Sequence, residues 1–303
     1  METILPPTLE PRDKVAIVAP ARKISNSELR KAIDILDGWG LTVVLGKHIY
    51  AEDNQFAGTD EQRISDFQDA LNDPEIKAIF CARGGYGSVR LIDQLDFSSF
   101  RNNPKWIIGY SDITVFHCHL NAVFNTSTIH GSMPINFSSN SKQSISTIKS
   151  ILSGDFPRYG VSAHPFNRKG KAEGQLICGN LSMLYSINGS ESFPDMEGKI
   201  LFIEDLDEYL YHIDRMMMSL KRSGKLAPLA GLIVGGMTDM NDNTIPFGKT
   251  AEEIILGNVA EYQFPVCFNF PAGHLEHNLA LITNKKVRLT VSSTVKLDFG
   301  VFR

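Results

Sequence analysis

Apolar residues in this chain fall alternately into short continuous blocks and into helical spacing. Residues 14–20 (KVAIVAP) form an unbroken apolar run stopped by proline, the pattern of a strand buried on both faces. Residues 27–39 put Leu29, Ile33 and Leu36 on one helical face, and Gly40 follows as a stop. A second strand at 42–45, an amphipathic helix at 61–71 (Ile64, Phe67, Leu71) and a third strand at 78–82 come next. The spacing then predicts a helix at 89–95, a strand at 106–109 and a helix at 112–124. Such alternation predicts right-handed βαβ units on a parallel sheet, with ligands at the carboxyl ends of the strands.

Polar composition takes over at 138–147, and residues 154–174 carry Gly, Pro and basic residues with little periodicity. This predicts an N-terminal parallel α/β domain over 1–155, flavodoxin- or Rossmann-like, and a linker over 156–174. A smaller C-terminal α/β domain with antiparallel strands is expected over 175–303. There the pattern predicts helices at 180–187, 209–222 and 250–260, and strands at 199–203, 231–235 and 266–269. Residues 280–299 alternate apolar and polar positions, as a small antiparallel hairpin or meander does.

A hydrophobic fraction of 43% is ample for a buried core. The net charge of -4, without long runs of either sign, argues against a nucleic-acid partner. Cys81, Cys118, Cys178 and Cys267 are far apart and read as free thiols of a reducing compartment. The N-terminus lacks the basic and apolar regions of a signal peptide, and no apolar run approaches the ~20 residues of a membrane span. A cytoplasmic protein without membrane attachment is expected.

Four strand ends carry candidate chemistry. The strand at 106–109 runs through Gly109-Tyr110-Ser111-Asp112 straight into a helix, which would lift the serine hydroxyl above the sheet and leave backbone N–H groups for an oxyanion. Taken alone, Ser111 reads equally as a helix cap. Arg83-Gly84-Gly85-Tyr86-Gly87 follows the strand at 78–82; it suits a close backbone approach to a ligand or merely a tight turn. It matches neither common nucleotide-binding glycine motif, so a nucleotide site is only weakly signalled. The strand at 199–203 ends in Glu204-Asp205, where Glu204 is the better buried acid and Asp205 and Asp207 suit the start of the next helix. His274, in Phe270-Pro271-Ala272-Gly273-His274, lies in a loop set by Gly and Pro, with His130 as the second choice among the histidines. No metal-ligand spacing is present, and no metal or cofactor is expected.

In order along the chain, 15–20, 83–87, 109–112, His130-Gly131, Gly179-Asn180-Leu181-Ser182, 201–205, 211–216 and Gly273-His274 resemble the LD-carboxypeptidase family of serine peptidases. That family includes muramoyltetrapeptide carboxypeptidases and the microcin C self-immunity peptidases. The resemblance implies a Ser-Glu-His triad on Ser111, Glu204 and His274, with an oxyanion hole from the N–H groups of Gly85 and Asp112. It implies a site between the two domains, a homodimer, and a muropeptide substrate losing terminal D-alanine from a murein tetrapeptide during cell-wall recycling. Arg83, Tyr86, Asn180 and Arg215 are candidate walls of the site, a cation being suited to a terminal carboxylate. Arg215 fits a structural ion pair with Asp214 or Asp205 equally well. Two departures from the family pattern, Cys178 in place of a glycine and Ser132 where proline often follows Gly131, bear on specificity. The alternatives are a peptidase acting on peptidyl or aminoacyl nucleotides, disfavoured because Trp39 and Trp106 read as core, and a non-catalytic nucleotide-binding protein.

Overall fold

The computed structural model describes residues 3–300. Its first half forms β1 (Lys14–Val18), α1 (Asn26–Gly38), β2 (Thr42–Leu45), α2 (Asp60–Asn72), β3 (Ile76–Cys81), α3 (Ser98–Asn102), β4 (Trp106–Gly109), α4 (Thr114–Phe124), β5 (Ile129–His130) and α5 (Lys142–Leu152). The second half adds β6 (Arg158–Ser162), β7 (Gly170–Asn180), α6 (Leu181–Ile187), β8 (Ile200–Leu206), α7 (Leu210–Arg222), β9 (Gly231–Thr238), α8 (Ala251–Asn258), β10 (Val266–Cys267), β11 (Leu281–Ile282), β12 (Lys286–Val291) and β13 (Thr294–Asp298).

These strands make a six-stranded sheet in the order β11-β5-β4-β3-β1-β2 and a seven-stranded sheet in the order β10-β9-β8-β7-β12-β13-β6. In the first, every pairing from β5 to β2 is parallel and only β11 runs antiparallel. In the second, β10-β9-β8-β7 are parallel and β7-β12-β13-β6 antiparallel. The mixed α/β class read from the sequence is therefore the observed one. Helices α1 and α2 begin at capping boxes, Ser25 with Glu28 and Thr59 with Gln62, which satisfy the first free N–H groups of each helix.

Several local expectations change. Residues 89–95 form two 3-10 turns, Ser88–Arg90 and Ile92–Gln94, in place of an α-helix. The polar tract at 138–147 leads into α5, capped by Ser141 and burying Ile145, Ile148, Ile151 and Leu152 at helical spacing. Within 156–174, read as linker, lie β6 and the start of β7; only Tyr159 of β6 is buried, so its alternation barely registers in sequence. The tail supplies the expected hairpin in β12 and β13, but β11 leaves it and pairs Leu281 with His130 of the first sheet. All four cysteines are free and buried. Cys178, within β7, points into the core and does not line the cleft described below.

The two sheets share their packing. Phe116 and Leu120 of α4 belong to the same buried cluster as Ile177 of β7 and Leu184 of α6. The Asn180 N–H donates to Thr114 Oγ1 at 2.9 Å, and a side chain at Gly179 would put its Cβ 2.8 Å from Thr114 Cγ2. The contact brings the carboxyl end of β7 against the start of α4. No helix among the described residues is long and apolar enough to cross a membrane.

Candidate active site

Ser111 stands two residues beyond the end of β4 and has a φ of +63°, the left-handed region that costs a non-glycine residue about 1–2 kcal/mol. The strain accompanies a sharp strand-to-helix turn: a 3-10 turn, Ser111–Ile113, then α4. Gly109 permits it, since a Cβ there would lie 2.8 Å from Ile113 Cγ1. The hydroxyl makes no side-chain cap to the helix. The capping alternative for Ser111 is thereby excluded.

The glycine-rich turn at 83–87 lies against this serine. A Cβ on Gly84 would stand 3.2 Å from Ser111 Cβ and 3.4 Å from its Oγ. Gly85 and Gly87 take φ values of +110° and +147°, which only glycine adopts readily. Asp112, buried, accepts the Ser88 N–H at 2.9 Å and so ties the turn to the serine elbow from beneath. Burial raises the Asp112 carboxyl above its ordinary range, against its bonds to Ser88 and the charge of Arg63. Arg63 is itself buried under Gly87, donating to the Pro20 carbonyl at 2.8 Å and to Asp60.

The second sheet contributes Glu204 at the end of β8, with 0% exposure. Its Oε2 accepts from His274 Nδ1 at 2.5 Å and from the His274 backbone N–H at 3.2 Å. Gly273 makes room: its φ is +100°, and a Cβ would lie 2.6 Å from Glu204 Cβ. Burial would raise the Glu204 carboxyl, but the facing imidazoles of His274 and His130 and the Asn180 amide bring it below its ordinary value. Burial pulls His274 down, yet Glu204, and less strongly Asp205, leave it raised above 6.5. With Nδ1 donating to Glu204, Nε2 is left to take a proton.

Ser111 and His274 line one cleft of about 520 Å³ together with Arg22, Arg83, Gly85, Tyr86, Asp112 and Asn180. Each expected triad and oxyanion position thus reaches this cleft, Glu204 through its bond to His274. Among the described residues Ser111 Oγ makes no hydrogen bond, so Ser111 and His274 are linked by the shared cleft and not yet by a bond. Such bonds often tighten only when substrate arrives. Asn180 donates to Asp205 at 2.8 Å, and Asp205 also accepts the Ser182 N–H and hydroxyl at 2.9 and 2.8 Å. Burial and the neighbouring Glu204 push the Asp205 carboxyl up to about 6. Arg83 reaches the cleft but donates to the Lys23 carbonyl at 3.3 Å and lies 3.7 Å from Glu28. Arg215 does not line the cleft; its guanidinium stacks 5.1 Å over the Tyr211 ring. Arg22, which the sequence reading passed over, crosses Gly85 and faces the cleft; its place one residue beyond the Ala-Pro-Ala strand end was the only signal. Among the described residues no group of three or more His, Cys, Asp or Glu side chains is placed to hold a metal.

Comparison with known proteins adds two family matches. The "LD-carboxypeptidase N-terminal domain" description matches residues 15–131, and the "LD-carboxypeptidase C-terminal domain" description matches residues 173–289. The chain is 33% identical to a "Probable murein peptide carboxypeptidase" of Bacillus subtilis, covering 98% of this chain and 95% of that one. It is 31% identical to the "Murein tetrapeptide carboxypeptidase" of Pseudomonas aeruginosa, over 90% of this chain and 92% of that one. The crystal structure of a muramoyltetrapeptide carboxypeptidase from Oxalobacter formigenes superposes with a TM-score of 0.86 at 27% identity, over 95% and 99% of the two chains. The microcin C7 self-immunity protein shares the fold, with a TM-score of 0.87 at 23% identity over 99% of both chains.

Proposed function

Because the chain belongs to the LD-carboxypeptidase family, we propose that it hydrolyses the last, L,D-configured peptide bond of a short peptide with Ser111, His274 and Glu204 as a catalytic triad. The observation that carries this reading is the buried Glu204–His274 pair facing the same cleft as a serine held at positive φ. In the first step Ser111 Oγ attacks the scissile carbonyl while His274 Nε2 takes its proton. Glu204 keeps Nδ1 protonated and stabilises the imidazolium. The oxyanion accepts the N–H groups of Gly85 and Asp112, each such donor being worth roughly 10²–10³ in rate. Collapse breaks the C–N bond as His274 returns the proton to the leaving amine. Water, deprotonated by His274, then attacks the acyl-serine and restores Ser111.

The substrate assigned in this reading is a murein tetrapeptide that loses its terminal D-alanine, in cytoplasmic cell-wall recycling. The murein peptide carboxypeptidases among its relatives support that class. A carboxypeptidase must recognise a free carboxylate, and Arg22 and Arg83 bring cations to the cleft. We also propose that the chain divides into a serine-bearing N-terminal domain and a C-terminal domain bearing Glu204 and His274, and that it assembles as a homodimer.

One observation favours a second reading, cleavage of an aminoacyl nucleotide. Tyr86 is exposed at the cleft, its ring centroid 6.0 Å from that of Phe56, and such an aromatic surface suits a stacked base. Mass spectrometry of murein tetrapeptide and an aminoacyl adenylate analogue incubated with the protein separates the two. Tripeptide and free alanine are expected; an intact tetrapeptide beside a cleaved nucleotide would overturn the first reading.

A further inference from the structure

Two histidines lie buried behind the serine elbow, and only one of them is fully bonded. His117 is held between the Gly109 carbonyl at 2.8 Å and Thr128 Oγ1 at 2.7 Å. His130, at the end of β5, is 0% exposed, and neither of its ring nitrogens has a partner. Buried polar atoms without partners are rare enough in folded proteins to require an explanation, commonly a water.

A second orphan sits at the proposed triad. Glu204 Oε2 takes both bonds from His274, while Oε1, fully buried, takes none within the chain. Residues two apart on a strand share a face, so Glu204 projects on the same side of β8 as Phe202. The Phe202 ring meets the His130 ring edge-on at 5.2 Å. The Tyr110 ring packs near both imidazoles, 5.9 Å from His130 and 4.8 Å from His274. Asn278, whose Oδ1 accepts the Gly273 N–H at 2.9 Å, leaves its buried Nδ2 unpaired beside the same loop.

We propose that His130 is a positioning residue that anchors Glu204 Oε1 through one buried water, so that Oε2 stays on His274; the inference rests on the Ser111–His274–Glu204 reading. Burial drives the His130 ring down to about 4, with Glu204 opposing, so the imidazole is neutral at pH 7 and carries one N–H and one lone pair. A water accepting from that N–H and donating to Oε1 satisfies an orphan in each sheet with a single molecule. Without it Glu204 is free to turn about its last torsion and lose the bond that orients His274.

Three substitutions test this in the tetrapeptide assay. His130→Phe keeps a planar ring, slightly larger, and removes its polar atoms; kcat should fall roughly 10- to 100-fold, the worth of one hydrogen bond to a charged group, with KM changed less than about threefold. His130→Asn and His130→Gln place a neutral donor near Nδ1 or Nε2, and at least one should restore most of the lost kcat. A Phe variant with wild-type kcat, or three variants equally impaired, would overturn the proposal. Should the Phe variant fail to fold, a high-resolution crystal structure of the unmodified protein decides: a water within hydrogen-bond distance of His130 and Glu204 Oε1 is expected, and an empty gap refutes it. Ser111→Ala in the same assay keeps the two levels apart. Activity retained there removes the triad reading, whereas its loss beside an unimpaired His130→Phe removes only the anchor.

Discussion

Ser111 and Glu204 occupy equivalent places, the carboxyl ends of central strands in two different sheets, yet they are held by different physics. The serine end is a matter of backbone: positive φ, Gly109 beneath it, Gly84 against it and a buried Asp112 fastening the neighbouring turn. The acid end is a matter of charge: a carboxylate with 0% exposure is kept ionised by the imidazole it orients, and a glycine at 273 lets the two approach. Steric change should therefore damage the first end most, and loss of a charge the second.

The largest expected effect comes from removing the nucleophile. Ser111→Ala should lower the rate of tetrapeptide hydrolysis by at least ~10³-fold, followed by mass spectrometry, while the unfolding midpoint stays nearly level, since alanine carries the same Cβ at positive φ. A rate within tenfold of the unmodified protein would refute the serine's role.

Glu204→Gln tests the charged end by conserving shape. The rate should drop by roughly 10³–10⁴, since the amide no longer holds the required tautomer. The pH profile sharpens the point. A base must be neutral to act, and His274 is raised above 6.5 by Glu204, so wild-type kcat/KM should climb with pH through a midpoint above 6.5. In the Gln variant that attraction is gone and burial is opposed only by the weaker pull of Asp205, so the residual activity should titrate at lower pH. Superimposable profiles would show that Glu204 does not govern His274.

Gly273→Ala brings sterics to the charged end. Its Cβ would fall 2.6 Å from Glu204 Cβ, whereas Gly189, also at positive φ (+95°), has nothing within 4 Å. Both alanines incur backbone strain of about 1–2 kcal/mol, but only Gly273→Ala should also lose activity, by roughly 10-fold or more. Equal kinetics in the two variants would remove the close approach from the account.

The smallest change is expected from Asp205→Asn, which conserves shape at the wall formed by Asn180 and Ser182. A KM raised a few-fold with kcat nearly unchanged is the outcome foreseen from steady-state kinetics, as for a residue that positions bound substrate. A collapse of kcat instead would place Asp205 within the reacting machinery.

Much of this was legible in one dimension because burial leaves a local signature. The apolar run of β1, the helical stripe of α1 and the strand-to-turn junctions after β3, β4, β8 and β10 could be read directly, with Gly85, Ser111, Glu204 and His274 there as candidates whose roles came from the family resemblance. Composition hid α5, whose four buried apolar side chains lie among Ser, Lys and Gln, and β6, whose single buried residue sets no period. Arg22 was passed over and His130 ranked only second among the histidines for another reason, since such a role depends on neighbours far away in sequence.

Sequence by itself determined most of the strands and helices and which strand ends carry candidate reactive side chains, because alternation and helical spacing are local patterns. Only the tertiary structure decided which of those ends meet. The pairing of Leu281 with His130, the contact of Thr114 with Asn180 and the bond from His274 to Glu204 join positions separated by 66 residues or more. Such contacts follow from how two twisted sheets pack through a shared core, and no local pattern encodes that.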